Sequence, residues 1–234
     1  MKSVPSTRIA QSAPAAIVFD CDGLLVDTET CWTRAESAVF AEHGFSFGLE
    51  QKALLIGRTI EASSDAMADY FGRRGEGAAV AADLLARVGV ELELGANPLP
   101  GAVELVRACA ERVPVAVASN SPRFLLDVAL QGSGLAELLP ISLAADEVER
   151  PKPDPELYLA ACALLGAAPE LSVAFEDSGT GAAAARAAGL FVITVPSLPG
   201  SRIDHDWQLS SLADPALLRW VASLTPVKGA IRAR

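Results

Sequence analysis

The sequence predicts an α/β protein whose core is a parallel β-sheet. Short, wholly apolar runs recur along the chain, as they do in strands that are buried on both faces of a sheet. Helix-patterned segments separate the later runs, which is the pattern of βαβ units. A longer helical stretch lies between the first run and the second. Together these observations predict a Rossmann-like core with a helical cap domain inserted after its first strand.

Five apolar runs are predicted as the strands of this core. They are AAIVF (15–19), VPVAVAS (113–119), ISLAA (141–145), LSVAF (171–175) and LFVITV (190–195). Hydrophobic residues make up 51% of the chain but aromatic residues only 6%, so the core must be packed mainly with Ala, Leu and Val. This composition suits helices laid over a sheet better than a β-sandwich.

The helices of the core carry start and stop signals. The pairs Ser121–Pro122 and Asp154–Pro155 each place proline at the first helical position, behind a residue whose side chain can cap the helix. Gly166 and Gly189 stand where helices are expected to end. These signals predict helices in the connections between the later strands.

The insertion between the first two strands is predicted to be helical. The segment 31–44 has the apolar spacing of an amphipathic helix, and further helical runs cover 59–71 and 76–88. The segment NPLPG (97–101) then returns the chain to the core through a stiff, proline-rich junction. The predicted domains are the α/β core, residues 1–27 and 98–234, and the helical cap, residues 28–97.

Charge and composition exclude several classes of partner. A net charge of −10 argues against nucleic acid and against an anionic membrane, because their phosphates would be repelled. No apolar run approaches the roughly 20 residues that span a bilayer, and the first fifteen residues lack the apolar stretch of a secretory signal. The four cysteines form no CxxC pair, which favours reduced thiols over zinc ligands. We therefore expect a cytoplasmic protein, and we expect a monomer.

Polar side chains follow four of the predicted strands. In open parallel sheets, ligands bind beyond the carboxyl ends of the strands, so these side chains should converge on one rim. They are Asp20 and Asp22 after the first strand, Ser119 and Asn120 after the second, Lys152 in the loop after the third, and Glu176 and Asp177 after the fourth.

Four carboxylates at one rim require a compensating cation. An oxygen-rich ligand set with only two histidines in the chain favours Mg²⁺, which commonly binds through one or two carboxylates and a substrate phosphate. A unit-charge pair about 4 Å apart interacts by roughly 4 kcal/mol at an effective dielectric constant of about 20. A carboxylate that attacks a phosphate dianion thus faces on the order of 8 kcal/mol of repulsion, which a divalent cation and a lysine can offset.

The remaining groups of the rim are suited to phosphoryl transfer. Asp20 can act as a nucleophile and form an aspartyl-phosphate, while Asp22 can protonate the leaving oxygen and then deprotonate water. Ser119, Lys152 and the amino end of the helix that follows Pro122 can hold the phosphate.

Four motifs carry a resemblance to a known family: DCDGLLVDT (20–28), SN (119–120), the lysine of RPKPDP (150–155) and EDSGTG (176–181). In this order, each at a predicted strand end, they resemble the haloacid dehalogenase-like hydrolase superfamily, in its capped phosphatase and phosphomutase branch. The segments DTETCWTRAE, PLPG and SNSP look most like the bacterial hexose- and hexitol-phosphate phosphatases of that branch.

This resemblance implies a role for each motif residue. Asp20 would be the nucleophile and Asp22 the general acid and base. The implied Mg²⁺ ligands are Asp20, the main-chain carbonyl of Asp22, and Asp177, supported by Glu176. The implied phosphate-binding groups are the Cys21 main-chain N–H, Ser119, Asn120 and Lys152, and Arg58 would contact the substrate from a cap loop.

The predicted function is a Mg²⁺-dependent phosphomonoesterase acting on a small phosphorylated metabolite, a sugar or polyol phosphate. A phosphomutase of the β-phosphoglucomutase type is an open alternative. The resemblance to those enzymes is weaker at one position, because they carry a histidine in the first cap helix where this chain has Trp32. A further alternative is a protein that binds a phosphorylated metabolite without catalysis. The dehalogenases of the family lack the second aspartate, so Asp22 counts against cleavage of a carbon–halogen bond.

Overall fold

The computed structural model describes residues 13–55, 59–198 and 200–226 of the chain. The chain divides into two compact units, one formed by residues 1–27 and 97–234 and the other by residues 28–96. The first unit contains a mixed α/β core, and the second is built from helices. Within the described residues, no helix is both long enough and apolar enough to cross a membrane.

The strands and helices are numbered here in chain order. The strands are β1 Ile17–Phe19, β2 Val115–Ala118, β3 Ser142–Leu143, β4 Val173–Glu176, β5 Phe191–Thr194 and β6 Trp207–Gln208. The α-helices of the described residues are α1 Thr28–Glu42, α2 Leu49–Leu55, α3 Ile60–Tyr70, α4 Gly77–Gly95, α5 Ala102–Ala110, α6 Arg123–Gly132, α7 Glu156–Leu165, α8 Gly179–Ala187 and α9 Pro215–Ser223.

The six strands form one parallel sheet in the order β3-β2-β1-β4-β5-β6. This confirms the predicted α/β class and its Rossmann-like parallel sheet. The chain first adds strands on one side of β1 and then returns to add β4 on its other side. In open α/β sheets this change of direction opens a crevice at the carboxyl ends of the two central strands, where ligands bind.

All five predicted strands are present, but each is shorter than its apolar run. The third retains only Ser142–Leu143 at the edge of the sheet, and the chain continues into a 3₁₀ turn at Ala145–Glu147. The sixth strand was not predicted, because two residues, Trp207 and Gln208, make no apolar run that a sequence pattern could detect.

Small side chains let two helices pack closely on one face of the sheet. The strands present Val18, Ala116, Ala118, Ala174 and Val192 to this face. Helices α7 and α8 pack against these strand residues with further small side chains: Ala161, Cys162, Ala182, Ala184 and Ala185. The low aromatic content is thus explained, since alanine on both partners brings a helix close to the sheet.

The predicted helix caps are correct in part. Gly166 ends α7 in the left-handed conformation with φ of 64°, as predicted. The prediction was wrong at Ser121: helix α6 begins at Arg123 after Pro122, and the Arg123 N–H donates to Asp146 Oδ1 at 2.9 Å instead of to Ser121. Asp154 accepts a hydrogen bond from the Glu156 N–H at 3.1 Å, so this pair does brace the start of α7.

The second unit consists of α1 to α4. Two of them correspond to the predicted runs at 59–71 and 76–88, but α4 continues seven residues beyond the prediction, to Gly95. Lys52 of α2 is tied to α1 by contacts with Glu29, Thr33 and Glu36. This cluster links two helices through side chains that all belong to the same unit.

Candidate active site

The carboxyl ends of β1 and β4 bring two aspartates together. Asp20 directly follows β1, and its N–H continues the pairing to β4 by donating to the Phe175 carbonyl at 2.9 Å. Asp177 directly follows β4. Three residues after Asp20 the chain turns at Gly23, whose φ is +75°. A Cβ atom at Gly23 would lie 2.7 Å from a carboxylate oxygen of Asp177. Glycine therefore serves both the turn and the close approach.

Lys152 joins two of the carboxylates. Its ammonium donates to Asp20 Oδ1 at 2.6 Å and to Glu176 Oε1 at 2.7 Å. The Lys152 side chain is 3% exposed, and those of Asp20 and Glu176 are 9% and 0% exposed. Charge-assisted hydrogen bonds of this length in a buried setting are strong, so the three side chains form a rigid unit.

Asp20, Glu176 and Asp177 form a buried acidic cluster. One oxygen of each lies within 4.8 Å of the others, a spacing at which a single metal ion can be held. Three buried carboxylates share one ammonium, which leaves negative charge that Lys152 alone does not neutralise. A hard, oxygen-binding cation fits this donor set.

The pKa values of the cluster follow from this uncompensated charge. Burial raises the pKa of Asp20 well above its ordinary value, and the ammonium of Lys152 opposes this rise only in part. Burial likewise raises the pKa of Asp177 to about 7. Burial lowers the pKa of Lys152, but the carboxylates of Asp20 and Glu176 outweigh it and raise that pKa above its usual range. The lysine therefore stays charged, while Asp20 and Asp177 require further positive charge to ionise fully.

Asp22 binds two serines. Ser119 Oγ donates to Asp22 Oδ2 at 2.8 Å, and Ser121 Oγ donates to the same oxygen at 3.0 Å. The hydroxyl of Ser119 also accepts from the Ser121 N–H at 2.9 Å. Ser121 was predicted as a helix cap, and its hydroxyl is instead directed to the predicted acid and base.

Asn120 holds the loop that carries the lysine. Its amide accepts from the Lys152 N–H at 2.9 Å and donates to the Lys152 carbonyl at 3.0 Å. This pair of hydrogen bonds fixes the main chain of the loop after β3, so that the Lys152 side chain reaches β1 and β4. A direct contact of Asn120 with phosphate stays a prediction.

Glu176 has partners that the sequence pattern did not reveal. Tyr158 of α7 donates its hydroxyl to Glu176 Oε1 at 2.6 Å, and Ser178 donates to Oε2 at 3.1 Å. A Cβ atom at Gly181 would fall within 2.1 Å of the Glu176 carboxylate, so only glycine fits there. A signal for Tyr158 existed, since a tyrosine on the apolar face of a helix must find a partner for its hydroxyl.

Cys21 and Arg58 are the two remaining residues that were predicted to contact the substrate. Cys21 is buried between the two aspartates, and its carbonyl accepts from the Leu25 N–H at 2.9 Å within the turn. Burial raises the pKa of its thiol, so the side chain stays protonated and its predicted contribution is the main-chain N–H. Arg58 lies outside the described residues.

The comparisons with known proteins agree with this geometry. The family model of the haloacid dehalogenase-like hydrolases matches residues 14–189, about three quarters of the chain. The chain belongs to the haloacid dehalogenase-like hydrolases.

Its relatives within this family include phosphatases. Validoxylamine A 7'-phosphate phosphatase of Streptomyces hygroscopicus subsp. limoneus is 31% identical over 87% of this chain and 95% of its own length. Hexitol phosphatase B of Escherichia coli K12 is 32% identical over 85% of this chain and 93% of its own length. The haloacid dehalogenase-like hydrolase described here is accordingly a phosphatase, and its predicted resemblance to the sugar-phosphatase branch is confirmed.

A solved structure of the same family shows the same fold. CbbY from Rhodobacter sphaeroides, crystallised in complex with phosphate, superposes with a TM-score of 0.73 at 26% identity, over 88% of this chain and 99% of that one. The fold of this chain is thus one that is known from a solved structure.

Proposed function

We propose that this phosphatase is a Mg²⁺-dependent phosphomonoesterase that hydrolyses a small sugar or polyol phosphate through an aspartyl-phosphate on Asp20. The observation that carries the proposal is the position of Lys152, which bridges Asp20 and Glu176 at the crevice between β1 and β4. Relatives of about the same length that are named for a hexitol and for fructose 1-phosphate support the substrate class.

In the first step an oxygen of Asp20 attacks phosphorus. A bond forms between that oxygen and phosphorus as the bond from phosphorus to the ester oxygen breaks, and Asp22 gives its proton to the leaving alcohol. In the second step Asp22 takes a proton from water, whose oxygen attacks phosphorus. The bond to Asp20 breaks, which releases inorganic phosphate and restores the carboxylate.

The acidic cluster supplies the metal site in this proposal. Asp20, Asp177 and the main-chain carbonyl of Asp22 would hold Mg²⁺, with Glu176 in support. When bound, Mg²⁺ supplies positive charge against the phosphoryl group and the carboxylates. Lys152 stays charged throughout and keeps Asp20 oriented for attack.

The remaining assignments belong to the same proposal. Residues 28–96 would act as the cap that selects the substrate and excludes water during turnover. The proposed hinges lie near residues 26–29 and 96–100, where the Asp27 N–H donates a hydrogen bond to the Asn97 carbonyl at 2.9 Å. A cytoplasmic location and a monomeric state also belong to the proposal.

The test is phosphate release from a panel of hexose, pentose, polyol and two-carbon phosphates, with Mg²⁺ and with EDTA. We expect turnover of a sugar or polyol phosphate that stops with EDTA and returns with added Mg²⁺. Asp20→Asn should lower turnover by at least about 10⁴-fold, as loss of a nucleophile does, and should leave the protein folded. Asp204→Asn, which removes a surface partner of Arg186 in the same unit, is the matched control and should keep full activity.

Two results would count against the proposal. An active Asp20→Asn protein would exclude the aspartyl-phosphate, and activity unaffected by EDTA would exclude the metal. Formation of glucose 6-phosphate from β-glucose 1-phosphate and a bisphosphate primer would instead assign the protein as a mutase. No phosphate release from any ester would favour a binding protein.

A further inference from the structure

The two serines of the loop after β2 converge on a single oxygen of Asp22. Ser119 donates to Oδ2 at 2.8 Å and Ser121 donates to it at 3.0 Å, and the structure shows no hydrogen bond from a described residue to Oδ1. Ser121 is itself fixed by its main chain, because its N–H donates to Ser119 Oγ at 2.9 Å and its carbonyl accepts from the Ala145 N–H at 3.1 Å.

The chemistry of a hydroxyl separates the roles of the two serines. A serine hydroxyl has one hydrogen, so Ser119 cannot donate to Asp22 and to a phosphoryl oxygen at the same time. If Ser119 turns its hydrogen to the incoming phosphoryl group, as the proposed function requires, Asp22 loses one of its two partners. The hydroxyl of Ser121 is then the partner that still holds Oδ2.

We propose that Ser121 is a positioning residue for the general acid and base, which it holds by Oδ2 so that Oδ1 carries the transferred proton. This inference rests on the proposed function, since it assigns a proton to Asp22. In the acid form Oδ1 bears the hydrogen and Oδ2 is the carbonyl-type oxygen, and in the base form both oxygens accept. Oδ2 can therefore accept from Ser121 in both steps, and the carboxyl group keeps one orientation while its proton leaves Oδ1 and returns to it.

The consequence can be measured with two kinds of ester. A leaving alkoxide is a poor leaving group and must be protonated by Asp22 as its bond to phosphorus breaks, whereas 4-nitrophenolate leaves without help. Loss of orientation at Asp22 should thus slow an alkyl phosphate much more than 4-nitrophenyl phosphate. The ratio kcat/KM is the quantity to compare, because it reports on the steps up to and including transfer of the phosphoryl group to Asp20.

The experiment compares Ser121→Ala, Ser121→Thr and Ser172→Ala on a hexitol phosphate and on 4-nitrophenyl phosphate. Ser121→Ala should lower kcat/KM at least tenfold on the hexitol phosphate, about 1.4 kcal/mol, and less than threefold on 4-nitrophenyl phosphate. Ser121→Thr keeps the hydroxyl and should recover most of the loss. Ser172 is the matched control, because its buried hydroxyl donates to the Ala168 carbonyl at 2.8 Å and touches no residue of the rim.

Each outcome decides the matter. An equal loss on both esters, or no loss on either, overturns the role of Ser121 while phosphatase activity in the parent protein upholds the proposed function. Where the hexitol phosphate is not a substrate, the sugar or polyol phosphate of the panel that the parent protein hydrolyses takes its place. A parent protein that releases phosphate from no ester of the panel overturns the proposed function and this inference with it. If Ser121→Ala does not fold, Ser121→Cys keeps the volume with a much weaker donor and should show the same selective loss.

Discussion

Two lysines in this protein each bind two carboxylates, and they do so in very different settings. Lys152 of the core lies between Asp20 and Glu176, and Lys52 of the helical unit lies between Glu29 and Glu36. All four distances fall between 2.6 and 2.8 Å, so geometry alone does not distinguish the clusters.

Water and charge distinguish them. At Lys52 the Glu29 side chain is 67% exposed, and the Thr33 hydroxyl takes a third hydrogen bond from the ammonium at 3.2 Å. At Lys152 every carboxylate is buried, and the nearby Asp177 adds a third negative charge. Water solvates the charge around Lys52, whereas the buried charge around Lys152 needs either a proton or a further cation to balance it. Uncompensated buried charge, rather than a buried ion pair as such, is what marks the site.

The largest expected effect comes from removing each lysine in turn. Lys152→Met leaves Asp20 and Glu176 buried without their cation, which should cost about 3 to 5 kcal/mol of unfolding free energy and abolish phosphate release. Lys52→Met should cost on the order of 1 kcal/mol, because water still solvates Glu29. Its turnover should stay within about threefold of the parent protein.

Denaturant unfolding and phosphate release, measured on both variants, check this prediction. The distinction between the two clusters is wrong if Lys52→Met loses turnover as completely as Lys152→Met, since the cluster around Lys52 would then take part in the reaction. It is sharpened if Mg²⁺ stabilises Lys152→Met more than it stabilises the parent protein, and stabilises Lys52→Met by the same amount as the parent protein.

The second effect is a pH dependence of stability in the metal-free protein. The pKa of Asp177 is raised from 3.8 to about 7, so between these values the folded protein keeps a proton that the unfolded chain has lost. The stabilisation that comes from protonated Asp177 is therefore fully present below about pH 4 and is lost as the pH rises through 7. A rise of about three units corresponds to an upper limit of about 4 kcal/mol.

Comparison with Asp177→Asn isolates this contribution. The parent protein should lose stability relative to the variant as the pH rises from 4 to 8 in EDTA, measured by denaturant unfolding at each pH. Mg²⁺ at pH 8 should stabilise the parent protein and not the variant. Parallel stability curves for the two proteins would show that folding does not raise the pKa of Asp177.

The smallest effect concerns single hydroxyl groups. Tyr158→Phe removes one hydrogen bond to Glu176 and leaves Lys152 as the remaining donor to Oε1, which should cost about 1 kcal/mol of stability and several-fold in kcat. Thr33→Val removes the matching hydroxyl beside Lys52 and should cost a similar free energy with kcat unchanged. A fall in kcat for Thr33→Val equal to that for Tyr158→Phe would erase the distinction between the clusters.

The success of the sequence prediction varied with the range of the interaction. The apolar runs predicted every strand longer than two residues, because burial on both faces demands continuous apolar side chains. Asp20, Lys152, Glu176 and Asp177 were predicted to share one rim, since the carboxyl ends of parallel strands must meet. Two side-chain partners at the rim were missed: Tyr158, which binds Glu176 from a helix, and Ser121, which binds Asp22 and was predicted only as a helix cap.

The sequence by itself determined the α/β class, the order of the motifs at the strand ends and the family of this phosphatase, because apolar periodicity and the residue types at strand ends can be read locally in the chain. Only the tertiary structure decided which oxygen each donor binds. Lys152 and Asp20 are separated by 132 positions, and Ser121 and Asp22 by 99, so nothing in the local pattern relates their atoms. Their distances are set by the packing of helices on the sheet and by the turn at Gly23, and these depend on the whole chain at once.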